Sequence, residues 1–354
     1  MSRFLKPIYQ AMDAYVPGEQ PRDMQYIKLN TNESPFPPAP QVQKAIDEKE
    51  VANLRLYSDP TCKVLKEKLA GLYEVKPENI YLSNGSDDIL NFAFMAFGHN
   101  GAVFPDISYG FYKVFGDLYG INYTQIPLQE DFTINYRDYC GVNRLVVIAN
   151  PNAPTGIQLP VEQIRQVLET NPDSVVLIDE AYVDFGGESC YPLIKEFSNL
   201  LVVRTFSKSR SMAGARLGYA IANEELIADL EKIKYSTNPY NVNRMTLRVG
   251  EATVDAENYY QDMCREIARI REYTKEKLEQ MGFQVLPSKA NFLFAMYPGK
   301  EGKRLYEQLK VNGILVRHFN KPRIYPYLRI TIGTQSQMDA FLSVIEMLIQ
   351  EVSQ

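Results

Sequence analysis

Residues 200–223, LLVVRTFSKSRSMAGARLGYAIAN, have the pattern of a strand, a polar turn, a glycine-bearing return and a second strand. Lys208 lies at the apex of the turn, after the hydroxyl residues Thr205 and Ser207, and Arg216 follows between two glycines. Hydroxyl and guanidinium groups bind anionic oxygens, which leaves the lysine amine free for another role. The stretch therefore predicts a phosphate-binding turn with a covalent-cofactor lysine. Taken alone, it is more typical of a solvated basic loop.

Composition limits the class of protein. The chain has 354 residues, which is enough for one large domain and a smaller one. Its net charge of -5, without a long basic run, argues against a nucleic-acid partner. No stretch of about 18 uncharged apolar residues occurs, and the N-terminus has no apolar core, so we expect neither a membrane span nor a signal peptide. The expected location is the cytoplasm.

Cysteine and histidine usage argues against a metal site. The four cysteines lie far apart without a CxxC spacing, which favours reduced, mostly buried thiols. The two histidines are too few for a multi-histidine metal centre and leave a histidine-dependent triad little choice of base. We therefore expect no metal, and acid–base chemistry from lysine, carboxylate or tyrosine.

The order of predicted strands and helices indicates an α/β protein in three parts. Residues 1–60 form an N-terminal arm that contacts the small domain or a second subunit. Residues 61–245 form the large domain, because strand–helix alternation between residues 80 and 223 predicts a three-layer arrangement around one mainly parallel sheet. Residues 246–354 form a smaller α+β domain, which begins with one long linking helix over residues 246–281.

The arm contains the segment Lys28–Pro40, KLNTNESPFPPAP, which has too many prolines for regular structure. Amides and aromatic rings are frequent in the arm, and Tyr15 and Asn32 are examples. A segment of this kind either wraps the surface or crosses a binding cleft. The sequence leaves both interpretations open.

Polar residues follow several predicted strands of the large domain. Ser86 and Asp87 begin a helix after the first strand, Tyr109 follows the next strand, and Asn152 lies in the rigid loop NPNAPTG. Helix N-termini bind anions, and ligands in open α/β sheets lie beyond the carboxyl ends of the strands. Each residue also has a structural alternative, as a helix cap or as part of a turn.

The segment SVVLIDEAYVDF places Asp179, Glu180 and Tyr182 at the end of a further strand. An acidic pair after an apolar strand is also typical of the magnesium site of nucleotide triphosphatases. That interpretation is weak here, because the chain has no GxxxxGK[ST] motif to hold a triphosphate.

Taken together and in this order, these residues resemble those of the fold-type I pyridoxal-phosphate aminotransferases. The likeness covers nearly the whole chain. More narrowly, six motifs resemble the histidinol-phosphate aminotransferase family: LNTNESPFPP, YSDP, NPNAPTG, IDEAYVDF, TFSKSRSMAGARLGY and YLRITIG. Two segments depart from the family pattern. PDISYGFY is two residues longer than the commoner PTYSMY, and GSDD replaces GADE or GSDE. Tyr109 is the best match to the family's ring-stacking tyrosine.

The resemblance implies pyridoxal 5'-phosphate as cofactor and assigns three catalytic residues. Lys208 would bind the cofactor aldehyde and carry the proton during the reaction. Asp179 would pair with the protonated ring nitrogen. Tyr182, together with Asn152, would hydrogen-bond the ring hydroxyl oxygen.

The same resemblance implies how the cofactor phosphate is held. Its anchors within the chain would be Ser86, Asp87, Thr205, Ser207 and Arg216. Tyr57, in the YSDP motif, would reach the phosphate of a neighbouring subunit, which implies a homodimer.

Arg329, in YLRITIG, matches the family arginine that binds the carboxylate of glutamate, and its fork can equally hold a phosphate. Its structural alternative is a charge on a strand surface. The further candidates for the substrate pocket are Arg317, Tyr15, Asn32, Tyr240 and Asn241.

The implied activity is transamination between histidinol phosphate and 2-oxoglutarate, giving imidazole-acetol phosphate and glutamate in histidine biosynthesis. Related pyridoxal-phosphate enzymes transaminate aromatic amino acids or decarboxylate threonine phosphate with the same cofactor residues, and both remain alternatives. A third alternative, from another class, is a non-catalytic ligand-binding α/β protein.

Overall fold

The computed structural model describes residues 2–10, 12–13 and 15–350. Its α-helices are α1 Pro7–Gln10, α2 Pro40–Gln43, α3 Glu48–Ala52, α4 Lys63–Tyr73, α5 Ser86–Phe97, α6 Phe111–Tyr119, α7 Val161–Thr170, α8 Glu224–Thr237, α9 Arg244–Asp255, α10 Glu257–Gln280, α11 Gly302–Val311 and α12 Gln335–Gln350. Its strands are β1 Ile27–Lys28, β2 Ile80–Ser83, β3 Ala102–Pro105, β4 Tyr123–Ile126, β5 Leu145–Ala149, β6 Val176–Asp179, β7 Leu200–Thr205, β8 Gly218–Ala222, β9 Gln284–Val285, β10 Phe292–Met296, β11 Ile314–Leu315, β12 Arg317–His318 and β13 Leu328–Thr331.

A seven-stranded sheet forms the centre of the large domain, in the order β2-β8-β7-β6-β5-β3-β4. Strand β8 runs antiparallel to both of its neighbours, whereas the other neighbouring pairs are parallel. Every residue is buried in six of the strands, β2, β8, β7, β6, β5 and β3. The edge strand β4 is partly exposed. The prediction of a mainly parallel α/β sheet is confirmed.

Two hydrophobic cores cover the two faces of this sheet, which gives the three layers. Because side chains alternate along a strand, Val147 packs on the face covered by α5, α6 and α8, and Ile148 packs on the face covered by α4 and α7. Burial on both faces explains the continuous apolar runs of the central strands. Because both faces are covered, a ligand can bind at the carboxyl ends of the parallel strands.

The small domain is a four-stranded antiparallel sheet in the order β12-β13-β10-β9, packed against α10, α11 and α12. The N-terminal arm joins this domain, because β1 pairs in parallel with β11 and Ile27 lies opposite Ile314. The proposed division of the chain at residues 60 and 245 stays a prediction, and residues 351–354 of its last part lie outside the described residues.

The prediction of one long helix over residues 246–281 is wrong. The chain forms α9 and α10, and the break falls at Ala256, whose φ of -102° and ψ of 27° leave the helical region. Ala256 is buried beside Tyr260, Ala39 and Val42. Packing against α2 therefore turns the chain at a residue that alone favours a helix.

Residues 314–318 are divided between two sheets. Ile314–Leu315 pairs with the arm, whereas Arg317–His318 pairs with β13 in the other sheet. Between Lys28 and Pro40 the chain forms no helix or strand, as the prolines predict. Within the described ranges, no helix is both long and apolar enough to span a membrane.

Candidate active site

A cavity of about 200 Å³ lies at the carboxyl ends of the parallel strands. Most of the predicted cofactor residues line it: Ser86, Asp87, Tyr109, Asp179, Tyr182, Thr205, Ser207, Lys208 and Arg216. Two residues of the N-terminal arm that the sequence did not single out, Thr31 and Glu33, complete the wall. The arm therefore crosses the cleft, which decides between the two interpretations of that segment.

Lys208 lies in the loop that follows β7. Its Nζ donates to the backbone oxygen of Thr31 over 3.3 Å and lies 5.9 Å from the centre of the Tyr182 ring. No carboxylate of the described residues forms an ion pair with it. The amine is thus held at the cavity by one backbone oxygen, without a permanent counter-ion.

Two glycines open a cradle around the N-terminus of α5. Gly85 precedes the helix with a φ of +87°, and a Cβ atom there would lie 2.7 Å from Nη2 of Arg216. A Cβ atom at Gly218 would overlap the backbone nitrogen of Ser86. The missing side chains let β8 and Arg216 approach the free N–H groups of the first helical turn, where anions bind.

Charged and hydroxyl groups surround this cradle. Nη2 of Arg216 lies 3.2 Å from Oδ2 of Asp87, and the hydroxyl of Tyr109 donates to Oδ1 of Asp87 over 2.8 Å. Nη1 of Arg216 lies 3.5 Å from Oγ of Ser207, and the Ser207 N–H donates to Oγ1 of Thr205 over 3.1 Å. One guanidinium, two hydroxyls and a helix N-terminus form a set that suits a phosphate.

Asp179 is the last residue of β6 and is buried in the wall of the cavity. It accepts hydrogen bonds from the hydroxyl of Tyr112 over 2.8 Å and from the Ala181 N–H over 3.2 Å. Burial raises the pKa of Asp179 to about 6, against the effect of these hydrogen bonds. No arginine or lysine in the described part of the chain pairs with it. A buried carboxylate in this position suits a protonated ring nitrogen.

Sequence reasoning missed Tyr112, which is fully buried and follows Tyr109 by three residues in PDISYGFY. One signal was available, because residues three apart at a helix start can point to one side. Each of the two tyrosines donates its hydroxyl to a carboxylate of the site, Asp87 or Asp179.

Asn32 joins the arm to the cavity wall. Its Nδ2 donates to the hydroxyl oxygen of Tyr182 over 3.0 Å, and its backbone N–H donates to Oγ1 of Thr331 over 3.0 Å. Its φ of 56° lies in the left-handed region, which asparagine tolerates better than most residues. These bonds hold Tyr182 in place from the arm side.

Asn152 does not line the cavity, in contrast to its predicted contact with the cofactor. Its Nδ2 donates to the backbone oxygen of Ile107 over 3.0 Å and to Oγ1 of Thr155 over 3.2 Å, and its Oδ1 accepts from Ser108 over 2.8 Å. All its hydrogen-bonding groups are therefore engaged by neighbouring loops. This geometry matches the structural alternative, in which the amide stabilises the turn.

Arg329 lies on β13 with a guanidinium that has one backbone partner. Its Nη2 donates to the oxygen of Asn30 over 2.9 Å, while its buried Nε has no hydrogen-bond partner among the described residues. The guanidinium lies 5.4 Å from the centre of the Phe292 ring and 5.7 Å from that of Phe319. Burial lowers its pKa, and no acidic side chain among residues 2–10, 12–13 and 15–350 pairs with it. A cation in such a site favours an incoming anion.

The other predicted substrate residues separate into two groups. Near the cleft, Tyr15 packs 4.3 Å from Phe111 and 6.4 Å from Tyr109, measured between ring centres. Arg317 donates to the backbone oxygens of Val16 and Pro17, each over 3.2 Å. Tyr15 therefore packs against the large domain, whereas Arg317 holds the arm against the small domain.

Tyr57, Tyr240 and Asn241 form the second group and do not line this chain's cavity. Tyr57 is 79% exposed and stacks on Tyr240 with 4.5 Å between ring centres. Nδ2 of Asn241 donates to Oγ of Ser83 and to Oδ2 of Asp88, each over 2.7 Å. The structure of one chain therefore leaves Tyr57 and Tyr240 on the outer surface and gives Asn241 a supporting position below α5.

The cavity fits pyridoxal phosphate. The glycine-opened cradle would take its phosphate, Asp179 would face its ring nitrogen, and Lys208 would meet its aldehyde. The strongest indication is the cradle, because glycines at 85 and 218 let Arg216 and β8 approach the first turn of α5, where a phosphate would bind.

Comparisons with known proteins agree with this geometry. Residues 24–345 match the family model described as aminotransferase class I and II. The histidinol-phosphate aminotransferase of Brachyspira hyodysenteriae is 47% identical over 353 residues, which cover 99% of this chain and 100% of that protein.

Solved structures share the fold. The histidinol-phosphate aminotransferase of Sinorhizobium meliloti, solved in complex with pyridoxal-5'-phosphate, has a TM-score of 0.88 at 23% identity and covers 99% of both chains. The L-threonine-O-3-phosphate decarboxylase of Porphyromonas gingivalis has a TM-score of 0.80 at 22% identity, covering 92% of this chain and 99% of that one. At these identities the likeness shows the fold alone.

Proposed function

Because this chain belongs to the class I and II aminotransferase family, and within it to the histidinol-phosphate aminotransferases, we propose that it transfers an amino group between histidinol phosphate and 2-oxoglutarate. The products are imidazole-acetol phosphate and glutamate, the cofactor is pyridoxal 5'-phosphate, and the reaction belongs to histidine biosynthesis. The observation that carries the substrate assignment is Arg329, a half-buried arginine whose buried Nε has no hydrogen-bond partner and whose guanidinium has no acidic partner among the described residues.

Pyridoxal phosphate, when bound, supplies an aldehyde that takes the substrate amine and a ring that withdraws electrons from it. Lys208 Nζ moves the proton at the substrate carbon, since it lies at the cavity without an ion-pair partner. The Asp179 carboxylate holds a proton on the ring nitrogen, and Arg216 with the first turn of α5 holds the phosphate. The Tyr182 hydroxyl, fixed by Asn32, is free to donate to the ring oxygen.

Arg329 explains how one site takes two substrates. Histidinol phosphate carries a phosphate and glutamate carries a carboxylate, and a guanidinium fork binds either anion with paired hydrogen bonds. Its unpartnered Nε and its aromatic neighbours leave the cation available and poorly solvated. Each substrate is therefore oriented by the same cation while Lys208 serves both half-reactions.

We also propose that the protein is a cytoplasmic homodimer. Around Tyr57 several apolar side chains are exposed, including Val51 at 50%, Leu54 at 52% and Leu56 at 46%. Apolar side chains clustered in sequence on a surface are typical of an interface. Contact with a second copy would cover them and would bring Tyr57 to the neighbour's phosphate.

The experiment that tests the substrate assignment compares single-turnover rates of the cofactor-loaded protein with five amines: histidinol phosphate, histidine, phenylalanine, tyrosine and threonine phosphate. We expect histidinol phosphate to have the highest kcat/KM, because it alone presents both an imidazole and a phosphate. A preference for phenylalanine or tyrosine would indicate an aromatic aminotransferase. Carbon dioxide released from threonine phosphate would indicate the decarboxylase.

A further inference from the structure

The hydrogen bond between Tyr112 and Asp179 links two fully buried groups from different elements. Tyr112 is the second residue of α6, and Asp179 ends β6. The hydroxyl lies 2.8 Å from Oδ2 of the carboxylate, and its ring packs edge-on against Tyr109 and Phe104 with 5.7 Å and 5.8 Å between ring centres. The ring is therefore locked in the position that aims its one proton at Asp179.

We propose that Tyr112 is a positioning residue that keeps the Asp179 carboxylate ionised and oriented toward the ring nitrogen of the cofactor. The inference rests on the assignment of Asp179 in the proposed function. A carboxylate can pair with a protonated ring nitrogen only while it is charged. Burial disfavours the charged form of Asp179. A hydrogen bond from a hydroxyl stabilises the charged form without placing a second cation beside it.

The groups around Asp179 leave Tyr112 as its main side-chain support. The ionisable residues that face it from the neighbouring elements are Asp87 on α5, Tyr109 before α6, Glu180 and Tyr182 after β6, and Lys208 after β7. Both carboxylates in this set form ion pairs with other residues: Asp87 pairs with Arg216 over 3.2 Å, and Glu180 pairs with Arg204 over 3.3 Å. Among the described side chains, only the Tyr112 hydroxyl donates a hydrogen bond to Asp179.

The direction of the effect follows from the charges. Burial raises the pKa of Asp179 to about 6, and the hydrogen bond from Tyr112 acts to lower it. Loss of that bond should raise the pKa further, by about one unit for a hydrogen bond to a charged group. The carboxyl would then be protonated over a wider range of pH, and it would lose its attraction for the ring nitrogen in that range.

The test measures how tightly the cofactor-free protein and its Tyr112→Phe variant bind pyridoxamine phosphate as a function of pH. This probe has the ring nitrogen and the phosphate but no aldehyde, so the covalent bond to Lys208 does not contribute. We expect the dissociation constant of the variant to exceed that of the wild type about tenfold at about pH 5.5 and to approach it at about pH 8.5. An equal loss at every pH, or no loss, would overturn the proposal.

Tyr139→Phe is the matched control. Tyr139 is as buried as Tyr112, but its hydroxyl has no hydrogen-bond partner in the part of the chain that the structure describes. Its removal should leave the pH dependence of binding unchanged. A shift equal to that of Tyr112→Phe would show that any lost buried hydroxyl has this effect, and it would contradict the proposal.

Asp179→Asn separates failure of this inference from failure of the proposed function. In the Asp179→Asn variant, we expect the dissociation constant of pyridoxamine phosphate to lose the pH dependence that arises from the carboxyl group. Adding Tyr112→Phe to this variant should cause no further change. If Asp179→Asn keeps the wild-type pH dependence, Asp179 does not pair with the ring nitrogen and the proposed role of that residue fails. If Asp179→Asn removes the pH dependence but Tyr112→Phe does not shift it, only the role of Tyr112 fails.

Discussion

Arg329 has a buried Nε without a partner among the described residues, and two aromatic rings lie beside its guanidinium. Burying an unpaired polar group costs free energy, which a bound anion would offset. Arginines that only decorate a strand surface keep their polar atoms in water. The surroundings of Arg329 therefore favour the substrate role over the structural alternative.

Substitution of Arg329 should affect both half-reactions. We expect Arg329→Ala to lower kcat/KM for histidinol phosphate and for glutamate, because each anion loses its charged partner. The expected increase in the corresponding activation free energy is about 2–4 kcal/mol for each substrate. Arg329→Lys keeps the positive charge but loses the planar fork. Its kcat/KM should therefore lie between those of the wild type and Arg329→Ala. The measurement is the single-turnover rate with each substrate. Loss of only one half-reaction would mean that the two anions bind at different places.

Asp179→Asn should leave the protein folded but nearly inactive, since a neutral amide does not favour a protonated ring nitrogen. Far-ultraviolet circular dichroism would report the fold, and the rate of each half-reaction would report the chemistry. An unchanged rate would remove Asp179 from its role.

The same residue predicts a pH dependence of stability in the cofactor-free protein. The folded pKa of about 6 lies above the ordinary value near 3.9, so the folded state disfavours the charge. The stabilising contribution of the protonated form is complete at low pH and is lost as the pH rises through about 6. We expect this component of the unfolding free energy, measured by urea titration, to be absent in Asp179→Asn. A wild-type component that persists in the variant would contradict the shifted pKa.

At the residue scale, the sequence predicted the side chains that belong to local motifs and missed those that depend on packing. Lys208, Ser207 and Arg216 stand close together in one segment, so their shared position at one cavity was predictable from the sequence. Tyr112 lies 67 residues from Asp179, and the two come together only because α6 packs on one face of the central sheet. For Asn152 the motif was recognised, but the neighbouring loops engage its amide.

At the scale of elements, the cradle at the start of α5 depends on the close approach of β8. We expect Gly218→Ala to destabilise the protein by about 1–3 kcal/mol and to weaken binding of pyridoxal phosphate, because the added Cβ would overlap the backbone at Ser86. Gly214→Ala is the matched control, since no atom lies within 4 Å of a Cβ there. Thermal unfolding and cofactor titration measure both effects. If the two variants behave alike, the cradle does not depend on this approach.

Element boundaries were predictable where their causes are local. Helix α4, Lys63–Tyr73, is an example, because Leu65, Leu69 and Leu72 recur at the spacing of one helix face. The break at Ala256 was not predictable, because it arises from contact with α2, more than 200 residues earlier in the chain. Similarly, the division of residues 314–318 follows from pairing with two different partners.

At the scale of the whole molecule, the position of Tyr57 predicts that the active site is shared between subunits. Lys208→Ala and Tyr57→Ala would each damage a site, and in a mixed dimer one site would carry neither change. We therefore expect activity to return in part when the two inactive proteins are mixed and allowed to exchange subunits. Recovery no greater than the sum of the separate activities would place Tyr57 within its own subunit or show that subunits do not exchange. Mixing either variant with itself is the control.

If Lys208 binds the cofactor aldehyde, borohydride reduction should attach the cofactor to this residue. The purified protein, loaded with pyridoxal phosphate, should be yellow, and reduction should fix the cofactor permanently to the chain. Peptide mapping by mass spectrometry should then find the cofactor on Lys208, and Lys208→Ala should retain none. Attachment to another lysine, or no retained cofactor in the wild-type protein, would contradict the account.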